Sequence, residues 1–414
     1  MTRSLTTGPA QGPDDVPAFP MPRAAGCPLD PPPELTSLQA EAPLVRVRLW
    51  DGTTPWLVTR HADQQAVLAD DRVSADTLHP GYPHVSESLR DRAADLRTFI
   101  TMDDPEHVRQ RRMIAPSFAF RRIEELRPAV QRIVDDLIDD LLAGPKPTDL
   151  VSAFALPLPS LVICQVLGVP YEDHDFFQRT SRILIHRESA TETALAAQLE
   201  LAGYLDRLIG RKLDDPADDL LSRLATEQLK TGRMTRPDLA MMALLLLVGG
   251  HETTANMIAL GTFALLTHPD QFAVLRDTDD PAVAAGAVEE LLRYLSIVHG
   301  GRRRVALEDI KIGGQVVRAG EALVIPTEIG DRDERVFPDP HVLDLRRREA
   351  RRHMAFGFGV HQCLGHPLVR VELQAVYGTL FRRIPTLSLA VDPGELEFKH
   401  EGFVYGVYEL PLTW

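Results

Sequence analysis

A chain of 414 residues, 44% hydrophobic and 25% charged, has the composition of an ordinary globular protein, able to bury a large core and neither disordered nor fibrous. Its 45 basic and 59 acidic residues leave a formal charge of −14, which argues against general affinity for nucleic acid or an anionic membrane. Three scattered cysteines, Cys27, Cys164 and Cys363, imply no disulfide framework and suit a reducing cytoplasm.

Residues 1–34 read as a Pro-rich lead without the basic-then-apolar run of a signal peptide or membrane anchor. Residues 35–414 read as one domain. Val45, Val47 and Leu49 alternate with Arg46 and Arg48, and Asp51-Gly52 turns the chain into an extended run at 56–59, a half-buried hairpin. Helical spacing then predicts helices over 64–68, 122–142, 196–213, 235–266, 281–295 and 363–381. Late strands are expected at 310–317, 322–325 and 404–412, paired with those at the start of the chain. The longest apolar stretch, 239–248, is too short to span a bilayer and reads as buried helix. With no repeat and no Gly/Ser linker, the fold is expected to be mainly α with a small β region, in a single large domain.

Two places carry chemistry. A lone cysteine is most often a small buried hydrophobe, the reading that suits Cys27 and Cys164. Cys363 differs, because Gly357, Gly359 and Gly365 let the backbone turn tightly and approach a flat ligand, and an amphipathic helix follows. Unpaired N–H donors at that helix start are expected to hold the thiol as thiolate. With no second Cys or paired His nearby, zinc or an iron–sulfur cluster lacks ligands, whereas haem iron needs one axial donor.

The second place is the helix between Thr235, a natural N-cap, and the stop at His268-Pro269, about 45 Å long at its standard rise. Gly249-Gly250 at its centre lowers helix stability by about 1–2 kcal/mol relative to alanine. Close helix packing explains a bare Gly-Gly, but Glu252-Thr253-Thr254 follows. A carboxylate in an apolar helix is costly unless paired or used, and a Thr hydroxyl can loosen the local helical bond.

The run Phe356-Gly-Phe-Gly-Val-His-Gln-Cys363-Leu-Gly365 resembles the cysteine loop of the cytochrome P450 family through Phe356, Gly359 and Cys363. The resemblance covers residues 18–414 and looks nearest to an actinobacterial branch that oxidises steroids, vitamin D, macrolides and other natural products. It implies the cytochrome P450 fold, with Cys363 as axial ligand of haem b (iron protoporphyrin IX), cradled by Phe356, Gly357, His361 and Gly365. Glu252 and Thr253 match the acid–alcohol pair that passes protons through water to dioxygen, beside an oxygen groove at Gly249 and Gly250; Thr254 is the weaker alcohol candidate. His107, Arg111 and Arg304 would join His361 at the haem propionates, with Arg302 and Arg303 as competitors for the role of Arg304. Glu290, Arg293 and Arg347 match a structural ion cluster that fixes the cysteine loop.

The implied activity is monooxygenation, a hydroxylation or epoxidation of a hydrophobic small molecule such as a macrolide, polyketide or steroid. Electrons would come from NAD(P)H through ferredoxin reductase and ferredoxin. The ferredoxin would dock on Arg346, Arg347, Arg348, Arg351 and Arg352 with Arg109 and Arg112, on a monomeric enzyme. A nitric oxide reductase of the same fold and a haem-thiolate sensor are the alternatives, both disfavoured by Glu252-Thr253. The substrate wall would draw on 78–101, Val248, 297–299 and 403–404. Two departures from the pattern stand out: Asp331 where Asn is usual, and the run His299-Gly300-Gly301.

Overall fold

A computed structural model describes residues 16–185 and 189–414. Helices dominate, and each is laid down by a local signal. Phe120–Ala143 aligns Ile123, Val130, Val134, Ile138 and Leu141 on its buried face and stops at Gly144. Arg236–Leu266 opens where the Thr235 hydroxyl accepts the Asp238 N–H at 3.2 Å. It is buried nearly all round, which makes it the central helix of the core rather than a surface helix. By length and mean hydropathy alone this helix would pass as a membrane span; burial identifies it as a core element.

The main hydrophobic core lies where this helix meets Phe120–Ala143, Pro157–Leu167, Thr191–Asp214, Pro281–Leu295 and His366–Tyr377. The Tyr377 hydroxyl donates to the Met257 carbonyl at 2.7 Å, tying the helix that follows Cys363 to the central one. That helix runs His366–Tyr377, and a separate turn Leu380–Arg383 follows, where continuous helix over 363–381 was expected.

The expected hairpin is present as Leu44–Arg46 and Trp56–Val58. It extends into a five-stranded mixed sheet: Trp56–Val58 pairs in parallel with Ala322–Ile325, which pairs antiparallel with Arg302–Ala306, and Val73–Ser74 closes the edge. Early and late strands therefore pair, as expected. The C-terminal strand does not join them. It is shorter, Pro411–Thr413, and lies between Thr148–Asp149 and Ser388–Leu389. The run 310–317 is a separate two-stranded ribbon. Within the Pro-rich lead, Ala18 bridges Arg48, and Phe19 and Met21 pack under the sheet beside Leu35, Val47 and Leu57. Residues 1–15 of that lead lie outside the described residues.

Candidate active site

The cysteine loop is held by its backbone. Met354 N donates to Asp331 Oδ1 at 2.7 Å, Gly357 N to Met354 O at 2.8 Å, and Cys363 N to Phe356 O at 2.8 Å. Gly359 has φ +73°, and a Cβ there would sit 2.2 Å from the Leu68 carbonyl, so the turn admits only glycine. Asp331 is the departure from Asn noted above. Its Oδ1 accepts the bond an Asn carbonyl would accept, and burial pushes its carboxyl pKa up, toward a neutral, Asn-like form.

Cys363 lies half-buried at the end of this loop, with the Gly365 and His366 N–H groups and the Arg302 and Arg111 guanidiniums directed at its sulfur. Burial raises the thiol pKa, and those groups act in the opposite direction, favouring the thiolate. Among the described residues no group of three or more His, Cys, Asp or Glu side chains gathers to chelate a metal by itself.

Beside Cys363 four nitrogen groups converge from three elements. Helix Glu106–Ile114 contributes His107 and Arg111, strand Arg302–Ala306 contributes Arg304, and the loop contributes His361. The His107 and His361 rings lie 4.2 Å apart, and Arg111 donates to the Gln362 carbonyl at 2.6 Å. Burial first, then the charges of Arg304, His107 and Arg111, push the His361 pKa down to about 3. His107 binds Asp104 through Nδ1 at 3.1 Å, which leaves its Nε2 buried without a partner, as is Nδ1 of His361. Two orphaned ring nitrogens beside two guanidiniums call for anionic oxygens. The donor set therefore fits a dicarboxylate metal ligand such as haem.

Strand alternation sets Arg303 apart from the other two arginines, and their partners distinguish Arg302 from Arg304. Arg303 points away, to the Pro83 and Gly300 carbonyls. Arg302 and Arg304 share the inner face. Arg302 holds Thr327 Oγ1 at 2.7 Å and the Ala355 carbonyl at 3.0 Å, against the cysteine loop. Only Arg304 joins the histidine pair.

On the central helix, Leu245, Val248, Gly249 and Thr253 lie along an accessible stripe of a mostly buried element. A Cβ on Gly249 would meet nothing within 4 Å, whereas one on Gly250 would press at 2.9 Å against Ile163 of helix Pro157–Leu167. Of the two glycines, Gly249 alone opens onto free space; Gly250, about 100° further round the helix, packs against Ile163. The Thr253 hydroxyl lies on the open stripe and donates to the Gly249 carbonyl at 2.8 Å. Thr254 is fully buried and off that stripe. Glu252 is 3% exposed, with His251 Nε2 3.9 Å away.

Behind the loop, Arg293 and Glu290 form a fully buried bidentate pair at 2.7 and 2.8 Å, and Arg347 adds a bond to Glu290 at 3.1 Å. The cluster sequence reasoning missed is next to it: Glu289 takes Arg370 at 2.6 and 2.9 Å and His353 at 3.1 Å, and Arg370 stacks 4.7 Å over the Phe356 ring. Only the adjacency of two glutamates hinted at it.

On the proposed substrate side, Val298 bridges Val404 and Tyr405 N donates to the Ile297 carbonyl at 2.8 Å, so 297–298 and 404–405 run together as expected. His299 turns aside: its ring meets the His400 carbonyl at 2.9 Å and lines a separate cleft of about 910 Å³ with Arg23, His268 and Tyr294.

Comparison with known proteins agrees with this geometry. The sequence model of the family described as Cytochrome P450 matches residues 43–404. "Cytochrome P450 GfsF" of Streptomyces halstedii is 55% identical over 402 residues, 97% of either chain. Its crystal structure superposes with a TM-score of 0.91 over 96% of this chain and 100% of that one. The mycinamicin VIII C21 methyl hydroxylase MycCI of Micromonospora griseorubida, bound to mycinamicin VIII, is 39% identical with a TM-score of 0.90, covering 96% and 100%. The 20-oxo-5-O-mycaminosyltylactone 23-monooxygenase of Streptomyces fradiae is 44% identical over 95% of this chain and 92% of its own.

Proposed function

Because the chain belongs to the cytochrome P450 family and is a haem-dependent monooxygenase, we propose that Cys363 ligates the haem iron and that Glu252 and Thr253 deliver protons across the haem. His107, Arg111, Arg304 and His361 bind the propionates in this reading, Phe356, Gly357 and Gly365 complete the loop around the sulfur, and Gly249 opens the oxygen groove. One observation carries it: two orphaned histidine nitrogens and two guanidiniums meet beside the one cysteine that N–H groups and a buried arginine surround.

When bound, haem supplies the iron at which dioxygen is activated, with electrons arriving from NAD(P)H through partner proteins. The chain's own residues do the rest. Gly365 and His366 N–H groups and Arg302 stabilise negative charge on the Cys363 sulfur. Thr253 Oγ1 sits on the open stripe, where its hydroxyl can leave the Gly249 carbonyl and donate toward the groove. The Glu252 carboxyl group, buried on the adjacent face, relays the proton that resupplies it.

The substrate we propose is a hydrophobic natural product of the macrolide or polyketide class, hydroxylated at an unactivated carbon. The support is the two relatives named for macrolide oxidation and the apolar wall of Val248, Ile297 and Val404. The partner we propose is a ferredoxin in the cytoplasm, docking on exposed Arg109, Arg112, Arg346, Arg348, Arg351 and Arg352 around exposed Phe358 and Val360. Arg347 leaves that patch, because it is turned inward onto Glu290.

The deciding experiment is the absorption spectrum of the reduced, carbon monoxide-bound protein. Cys363→Ser is expected to abolish the thiolate-type Soret band; a band that survives the substitution overturns the ligand assignment.

A further inference from the structure

Glu252 is buried, and something must balance its charge if it is to pass protons rather than hold one. The route to that partner runs through the residue one helical turn on. Asn256, 2% exposed, donates from Nδ2 to the Glu252 backbone carbonyl at 2.7 Å. Its other amide atom, Oδ1, accepts the ammonium of Lys399 at 3.0 Å. Lys399 belongs to a different part of the chain, the bridged C-terminal segment in which Phe398 faces Val407 and Lys399 N donates to the Gly406 carbonyl at 2.8 Å. The fit is close: a Cβ on Gly406 would sit 1.7 Å from Asn256 Oδ1, so the segment's backbone lies directly on the amide.

We propose that Lys399 is a positioning residue of the proton path, holding the Asn256 turn and supplying the counter-charge to Glu252 from the C-terminal segment. The inference rests on the role given to Glu252 above. Of the charges that act on the Lys399 ammonium, Glu252 is the foremost; Asp149 and Glu401 also favour its charged form, Arg182 opposes it, and burial depresses its pKa. The same segment touches the proposed substrate wall, because Tyr405 N donates to the Ile297 carbonyl and Val404 bridges Val298. A shift of that wall on substrate binding would therefore move the cation bonded to Asn256, coupling an occupied pocket to the turn that carries Glu252.

The test uses the haem-loaded full chain in four forms: wild type, Glu252→Gln, Lys399→Met and the double variant, with Lys399→Arg as the charge-conserving control. Unfolding equilibria of the four are measured from neutral pH down through the carboxylate range. The expected coupling between the two sites is about fivefold or more in the unfolding constant at neutral pH. It should vanish once Glu252 is protonated and persist when Arg replaces Lys. Coupling below twofold at neutral pH, or coupling indifferent to pH, overturns the proposal.

A second measurement separates the inference from its premise. NADPH oxidation is followed with a ferredoxin and its reductase, without added substrate, in H2O and D2O. Glu252→Gln is expected to slow it severalfold and raise the solvent isotope effect. Lys399→Met should do the same and move the acidic limb of the pH profile upward, because loss of the cation disfavours the ionised carboxylate; Lys399→Arg should restore both. If Glu252→Gln changes nothing, the role of Glu252 falls and the inference with it. If Glu252→Gln slows turnover while Lys399→Met leaves rate, isotope effect and pH limb in place, only the inference falls.

Discussion

On the cysteine side of the site, two buried glutamates meet cationic partners at hydrogen-bond distance. Glu290 is shared by Arg293 and Arg347, and Glu289 by Arg370 and His353. The central helix is built differently. Among the described residues, Glu252 has its nearest ionic neighbour at 3.9 Å, the Thr254 hydroxyl is buried without a partner, and Thr253 is bonded to its own helix. A dense network fixes one geometry, which suits a permanent ligand; sparse partners leave a proton free to move, which suits a relay. The predictions below break or sharpen that contrast, from the largest effect to the smallest.

Arg293→Ala should do the most damage. Both members of its pair with Glu290 are fully buried, and removing the guanidinium breaks the bidentate pair and leaves Arg347 as the remaining cation on that carboxylate, at a cost of about 3 kcal/mol. Thermal unfolding should show that loss together with poor haem retention. A variant that keeps wild-type stability would mean that the dense network is not what holds the loop.

Acid should attack the same side. Although burial opposes it, bonds from His353 and Arg370 hold the Glu289 carboxyl at about 2, below its ordinary 4.5. The contribution is fully present above the ordinary value and is lost as pH falls through about 2. A shift of this size corresponds to about 3 kcal/mol. Unfolding of wild type and Glu289→Gln between pH 5 and about pH 2 should converge at the acid end. Parallel curves would remove Glu289 from the network.

On the helix side the signature should invert, with activity falling and stability holding. Thr253→Ala removes a hydroxyl whose one bond is to the Gly249 carbonyl, so unfolding should change by less than about 1 kcal/mol. Product formed per electron should fall several-fold, with peroxide released instead. Undiminished coupling in that assay would contradict the role of Thr253.

Much of this was legible in the sequence. Cys363 was, because glycines and a helix start surround it within ten residues; so was the Glu290–Arg293 pair, a contact within one helical turn. What escaped depends on how distant segments meet. Nothing near Lys399 or Glu289 announces Asn256 or Arg370, and tertiary partners, not a motif, separate Arg304 from Arg302. The burial of the thiol escaped for a related reason: the local helix start was visible, but burial is a property of the whole fold.

The two central glycines give the finest test. The sequence presents them as equivalent, and a helix phase of about 100° gives them different surroundings. Alanine at Gly249 gains about 1 kcal/mol of helix preference and meets no atom within 4 Å, so the protein should become slightly more stable. Its new methyl group would project from the stripe that carries Thr253, so oxygen-dependent turnover should drop. Alanine at Gly250 gains the same preference but forces Ile163 aside, an overpacking of about 1–3 kcal/mol that should leave the protein no more stable than wild type, or less. Equal effects of the two substitutions on stability and turnover would put both glycines on one face and return Gly250 to the groove.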